Sequence, residues 1–216
     1  MKSHLFTASL LLAAGTAQAY VLDFGHAGTP ICTTSSDGLG GAIGCIESRY
    51  ILQSYGDVAS VVDVSYSAPR ISTSLSWWPT EYNDLDGVLW AQGGDTNSQA
   101  RIELKPLNGD AVTLTHFDLG AWRYSTLNTT VNVFEAGTSN LLYTFAGAVG
   151  SGTTHTSFDI NVSSTKGLWL EWQDSAYNVG IDNVTFSVGA VPEPATWAMM
   201  LAGLAGCAAF ARRRRG

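Results

Sequence analysis

Positive charge is scarce in the middle of this chain. Between Tyr20 and Val191 there are 6 Lys or Arg against 17 Asp or Glu, a balance of −11; the other basic residues are Lys2 and Arg212 to Arg215. Such a segment repels phosphate backbones and anionic lipid surfaces, so nucleic-acid binding is excluded as a reading and cations are the natural counter-charge. Catalytic signatures are missing too. The middle holds only His26, His116 and His155, with no His-Glu-x-x-His helix, no Gly-x-Ser-x-Gly elbow and no phosphate loop. Carboxylates are abundant, which leaves a glycosidase-type pair open, although most carboxylates on an acidic domain are solvated surface. Of three cysteines, Cys207 lies in an apolar tail. Cys32 and Cys45 are then the available pair. In an oxidising compartment they close a loop of about fourteen residues, worth roughly 3 kcal/mol in the chain-entropy model. Free or metal-bound thiols are the alternative, without a Cys-x-x-Cys spacing to favour them.

Long helical patterns and internal repeats are also absent between Tyr20 and Val188, which weakens bundles and solenoids. What is present is a series of short period-two runs separated by Gly, Asn, Asp, Ser and Thr. The strand candidates are Val58 to Tyr66, Gly87 to Ala91, Ala100 to Leu104, Ala111 to Leu119, Thr130 to Glu135, Leu141 to Ala146, Thr154 to Val162, Leu168 to Trp172 and Gly180 to Val188. Tyr20 to Phe24 is a further candidate to open the sheet. Leu168 to Trp172 is apolar on nearly both sides and reads as central. Asn108 and Gly109 suit a two-residue hairpin, and the segment from Glu135 to Asn140 a looser one. Gly25 to Gly44 reads as a long loop around Cys32, and Ile43 to Tyr55 fits a short helix or an irregular strand equally well. The expected fold is all-β, an antiparallel β-sandwich of about nine strands, of jelly-roll type ahead of an up-and-down barrel.

Both ends have a different character. Met1 to Ala19 combines Lys2, an apolar run from Leu5 to Ala14 and the small-residue site Ala17, Gln18, Ala19, the layout of a removable secretory signal. The expected domains are therefore a signal peptide at 1–19, a sandwich at 20–188 and a tail at 189–216. In the tail, Val191, Pro192, Glu193 and Pro194 precede the apolar run 195–211 and the cluster Arg212, Arg213, Arg214, Arg215. As a helix that run reaches roughly 25 Å, the lower limit for a bilayer core, with the arginines on the cytoplasmic side.

These three parts, in this order, resemble the PEP-CTERM sorting signal, a tail also catalogued as an ice-binding protein C-terminal domain. The resemblance implies processing by an exosortase after signal peptidase, transient anchoring in the inner membrane, and release to the cell surface or an exopolysaccharide-rich biofilm matrix. It says nothing about the body, and the isolated pairs Thr113 with Thr115 and Thr154 with Thr156 do not make an ice-binding array.

Residues Val179 to Phe186 resemble the last strand of galactose-binding-like jelly rolls and related carbohydrate-binding modules. That resemblance implies a structural Ca²⁺ held by Asp182, on the strand face of Val184 and Phe186, with Asp23 as partner. Capping of a turn by Asp182 through backbone N–H groups is the competing reading. The oxygen-rich run from Glu81 to Gly87 is another candidate for Ca²⁺ or a plain solvated turn. Sugar rings stack on exposed aromatics, so Trp77 and Trp78, expected in a loop, and Tyr82 are the candidate ligand platform. Trp90, Trp122, Trp169 and Trp172 read mainly as core. The sequons at Asn128, Asn161 and Asn183 carry little weight. The expected function is a non-catalytic exported module that binds glycan, against a secreted polysaccharide hydrolase or lyase and a purely structural matrix protein.

Overall fold

A computed structural model describes residues 17–189, together with 202–204 and 207, which are helical. The expected signal segment before residue 17 and most of the tail, including the sorting motif and the arginine cluster, lie outside the described residues. Among the described residues no helix is long and apolar enough to cross a membrane.

Thirteen strands are present among the described residues: β1 Gln18–Leu22, β2 Cys32–Thr33, β3 Tyr50–Ile51, β4 Val62–Ser67, β5 Ser76–Trp78, β6 Val88–Trp90, β7 Gln99–Pro106, β8 Ala111–Ala121, β9 Leu127–Glu135, β10 Leu141–Val149, β11 Thr156–Ser164, β12 Leu168–Gln173 and β13 Val179–Gly189. All pairings are antiparallel. One sheet runs β11-β8-β13-β6-β5-β3-β2 with β1 also on β13, and the other runs β10-β9-β12-β7-β4. The sequence-derived strands lie within or across nine of these, and β1 covers the start of the opening candidate. Strand β3 falls in Ile43 to Tyr55, where the choice between short helix and irregular strand goes to the strand, while β2 and β5 were not expected. They are two or three residues long, too short for alternation to register.

Alternation explains how the two sheets meet. Val112, Leu114, Phe117 and Leu119 of β8 and Ile181, Val184 and Phe186 of β13 face Val131 and Val133 of β9, Leu168, Leu170 and Trp172 of β12, and Ala100, Ile102 and Leu104 of β7 in one buried cluster. Strand β12 is the middle strand of its sheet, in agreement with its doubly apolar pattern. The Trp172 indole N–H donates to the Val179 carbonyl at 2.9 Å, so this large ring is buried without an orphan donor.

Two turn expectations part company. Glu135 to Asn140 does join a hairpin, with the Glu135 N–H donating to Asn140 across the turn and β9 paired to β10. Asn108 and Gly109 do not. Gly109 has the positive φ of 74° that favours glycine, but β7 and β8 belong to different sheets, so the dipeptide carries the chain across the sandwich. The dipeptide fixes a tight reversal and not the identity of the partner strand.

Cys32 and Cys45 are joined by a disulfide, which clips the loop rich in Gly, Ser and Thr. Strand β1 begins two residues before the expected domain start, with Gln18 opposite Val188 and Ala19 opposite Ser187. Tyr20 to Leu22 continue this ladder inside the expected domain, and Leu22 is the residue that enters the core.

Candidate functional site

The local sequence Ser76-Trp77-Trp78 puts two tryptophans on consecutive positions of β5, and a strand must send them to opposite faces. Trp77 goes inward. It is fully buried, and its indole N–H donates to the Phe24 carbonyl at 3.0 Å. Trp77 is therefore a core residue in a strand, not an exposed platform in a loop, which corrects the sequence expectation for this residue. Trp78 goes outward and is partly exposed.

Around Trp78 lies a second apolar cluster, separate from the main core and formed by Tyr82, Leu85, Val88 and Trp90, with Trp78 and Trp122 packed against it. Strand β6 shows its origin. Leu89 enters the main core, while Val88 and Trp90 on either side face outward. The Trp78 ring stands nearly perpendicular to Trp122 at 4.9 Å between centroids and to Trp90 at 6.3 Å, and Trp90 is edge-on to Tyr177 at 5.2 Å. Tyr82 tilts against Trp122 at 5.2 Å. Such edge-to-face pairs hold rings at fixed angles and add to what burial alone supplies.

Together Trp78, Tyr82, Trp90, Trp122, Tyr177 and Asn178 line a small open cleft of about 100 Å³. Tyr82 is nearly buried, and its hydroxyl donates to the Tyr177 carbonyl at 3.2 Å. Burial pushes that hydroxyl far above its ordinary range, with Tyr177 and Asp95 adding to the effect, so it stays a neutral donor. Tyr177 is 39% exposed and forms the open side. The Trp122 N–H donates to the Asn178 carbonyl at 2.8 Å, and the Asn178 amide donates to Asp95, which joins the two loops that carry the rim. The Trp90 indole N–H is buried without a hydrogen-bond partner among the described residues.

The loop between β5 and β6 holds Tyr82 in place. Asn83 is buried, and its amide donates to the Gly152 carbonyl at 2.6 Å and the Ser125 carbonyl at 3.2 Å. Gly120 lies beneath this loop, where a methyl group would strike the Tyr82 carbonyl. The oxygen-rich run from Glu81 to Gly87 is thus largely engaged by the protein. Asp84 pairs with His155 at 2.7 Å and Asp86 with His26.

Asp182 is buried and accepts the Phe24 N–H at 3.0 Å, the backbone-capping role weighed against calcium. A bulge in β13 breaks the alternation expected there. Ile181 and Val184 both enter the core although they stand three positions apart, and Asn183 has a φ of +53°, so Asp182 does not share a regular face with Val184 and Phe186. Desolvation pushes the Asp182 carboxyl up to about 7, against the pull of the Phe24 and Asn183 N–H groups and with the help of Asp23 and Asp118. Asp23 turns one carboxylate oxygen to its own loop, accepting the Gly25 N–H at 2.8 Å. Among the described residues no three His, Cys, Asp or Glu side chains are drawn in around a common ion-sized point.

Of the three aromatic candidates, the structure brings Trp78 and Tyr82 together and sends Trp77 to the core. Trp90, Trp122 and Tyr177 were missed as members of the site. The run Val88-Leu89-Trp90 is apolar on both faces, a signal that something covers its outer side; Tyr177 and Asn178 sit in a turn and give no such signal.

No curated protein matches the chain significantly. Among solved structures, the chain is similar to a mutant of a family 29 carbohydrate-binding module complexed with mannohexaose, at 13% identity and a TM-score of 0.34, covering 81% of this chain and 94% of that one. A family 27 module from Caldicellulosiruptor saccharolyticus, also with mannohexaose, gives 13% and 0.33 over 79% of this chain and 97% of that one. An exo-β-1,3-galactanase from Phanerochaete chrysosporium gives 10% and 0.32 over 68% of this chain and 34% of that one. At the other end, residues 190–215 match the PEP-CTERM protein-sorting motif, so the chain carries a signal that implies export and cell-surface sorting by an exosortase.

Proposed function

We propose that this protein is an exported, exosortase-sorted surface or matrix protein whose β-sandwich is a non-catalytic glycan-binding module of jelly-roll type. The observation that carries the binding half is the aromatic cleft on the outward side of the eight-stranded sheet. Five aromatic rings gather there, outside the main core: Trp78, Trp122 and Tyr177 present apolar surface that a sugar's C–H face can cover, Tyr82 and Trp90 back them from nearly buried positions, and Asn178 offers a polar group for orientation. Edge-to-face contacts fix the rings before a ligand arrives, which lowers the ordering cost of binding.

The cleft is lined by no carboxylate among the described residues, so the hydrolase or lyase reading has no acid–base pair at this place. The sorting half rests on the C-terminal motif, with 1–19 as the removable signal, 195–211 as a short membrane helix and Arg212 to Arg215 on the cytoplasmic side. Signal peptidase, the exosortase and the inner membrane are its processing partners, and exopolysaccharide is the partner after release.

Two experiments test the halves separately. Fractionation of cells, membranes and medium compares the intact protein with a version lacking residues 190–216; unchanged distribution overturns the sorting half. A glycan array and a polysaccharide pull-down, each with and without Ca²⁺, test the binding half and the calcium expectation at Asp182 and Asp23. Failure to retain any matrix polymer overturns the binding half.

A further inference from the structure

The terminal strands of the two sheets are finished in different ways. In the five-stranded sheet, β4 is one edge, and the chain caps its outward backbone groups one after another. The Val62 N–H and carbonyl pair with Val58, and the Val64 N–H donates to the Asp57 carboxylate at 2.8 Å. The Tyr66 N–H donates to the Gln53 side-chain oxygen at 3.0 Å, and the Gln53 amide donates back to the Tyr66 carbonyl at 2.7 Å. The Ala68 N–H then donates to the Thr73 carbonyl. Side chains of Gln53 and Asp57 thus stand where a further strand would bond.

In the eight-stranded sheet, β2 has two residues and is bonded in both directions to Ile43, and β1 has five residues. Strand β11 is long, but it has a bulge between Asp159 and Val162 and a carboxylate on Asp159 that is 90% exposed, two features that keep an edge from pairing.

Strand β10, the other edge of the five-stranded sheet, is different. Its ladder with β9 is regular from Tyr143 to Val149, and among the described residues its outward backbone groups have no hydrogen-bond partner. No charged residue occurs from Ala136 to Thr154. Leu141 and Leu142 are exposed at its start, and Tyr143 and Phe145 are only partly buried against the core. A long, uncharged, uncapped edge is a template for another strand.

We propose that β10 pairs antiparallel with β10 of a second copy of this chain, joining two five-stranded sheets into one of ten strands. Electrostatics selects this occupant. With 6 basic and 17 acidic residues between Tyr20 and Val191, a balance of −11, two copies repel one another over most of their surface. Antiparallel pairing lays the strand on its own copy about a two-fold axis, so any charge on it would meet like charge. Strand β10 carries none. Nine residues at about 3.4 Å each give a strip about 30 Å long, which buries on the order of 1,000 Å² in total, the lower bound for a specific interface. The dimer is therefore weak and reversible. It presents two aromatic clefts to one polymer, which raises retention without a new sugar contact.

The test is sedimentation of the purified intact chain, held in detergent on account of its apolar tail, over a range of concentrations. The expected result is a monomer–dimer equilibrium that strengthens as salt is raised, because salt screens the repulsion between two acidic bodies. Ala146 is exposed on β10. Ala146→Lys and Ala146→Glu should each weaken dimerisation about tenfold, and an equimolar mixture of the two should recover it. Ser65→Lys, on the capped edge of β4, should leave it unchanged. Circular dichroism establishes that each variant is folded. Hydrogen exchange of the wild type needs no variant: amides of β10 should exchange more slowly as concentration rises, while those of β4 stay the same. A folded wild type that remains monomeric throughout overturns the proposal, as does association that both Ala146 variants leave unchanged, which would put the contact in the tail or on another face. Because neither reagent nor readout involves sugar, failure here leaves the glycan-binding reading intact, and the converse holds.

Discussion

The two faces of the eight-stranded sheet are built from neighbouring residues and obey different rules. On the inner face, Trp77, Leu89, Leu119 and Ile181 meet the five-stranded sheet, and the only indole N–H there, that of Trp77, has a carbonyl partner. On the outer face, Trp78, Val88 and Trp90 meet a loop, a turn and solvent, and the Trp90 N–H has no partner among the described residues. The inner face is closed by its own fold. The outer face is assembled with equal care but left open, which is the pattern of a surface shaped for something other than stability.

The largest effect should come from emptying the inner face. Trp77→Ala removes a fully buried ring and its hydrogen bond, and should cost about 3–5 kcal/mol in urea unfolding. A loss as small as that of Trp78→Ala would erase the contrast between the faces.

Asp182 sits at the edge between the two regimes and gives a pH signature. Its folded value of about 7 lies above the ordinary 3.8, so the folded chain holds this proton more tightly than the unfolded one. The associated stability is complete below about pH 4 and is lost as the pH rises through about 7, amounting to about 2–4 kcal/mol. Unfolding in the presence of a chelator should show this decline, and Asp182→Asn, which keeps an acceptor for the Phe24 N–H, should flatten it. A profile of equal slope in the variant would remove Asp182 as the cause.

Much of this contrast was legible in the sequence. Long alternating runs such as Ala111 to Leu119 and Gly180 to Val188 announced their strands and the sandwich, because burial of one face imposes a period of two. Trp77 and Trp78 were expected together in a loop, because the three-residue strand β5 is too short for alternation to show, and only a strand sends one of them to the core. The bulge at Asp182 and Asn183 was invisible for a similar reason: one inserted residue inverts the faces on either side and leaves no mark in composition. The cleft itself depends on Tyr82, Trp122 and Tyr177 arriving from three separate segments, and only tertiary structure joins them.

Smaller effects sharpen the outer face. Gly120→Ala should push the Tyr82 loop away from the sheet, at about 1–3 kcal/mol by thermal unfolding, and weaken polysaccharide retention as well. Retention without change would mean that Tyr82 is no part of the binding wall. Trp78→Ala should cost only about 1 kcal/mol of stability, the scale of its edge-to-face contacts.

The most direct test is affinity electrophoresis of the folded wild type and of the Trp78→Ala, Tyr177→Ala double variant through gels containing the matrix polysaccharide. Retarded migration of the wild type, lost in the double variant while its unfolding midpoint stays close to that of the wild type, is the result predicted. Equal retardation of both proteins, or of neither, would contradict a glycan-binding cleft.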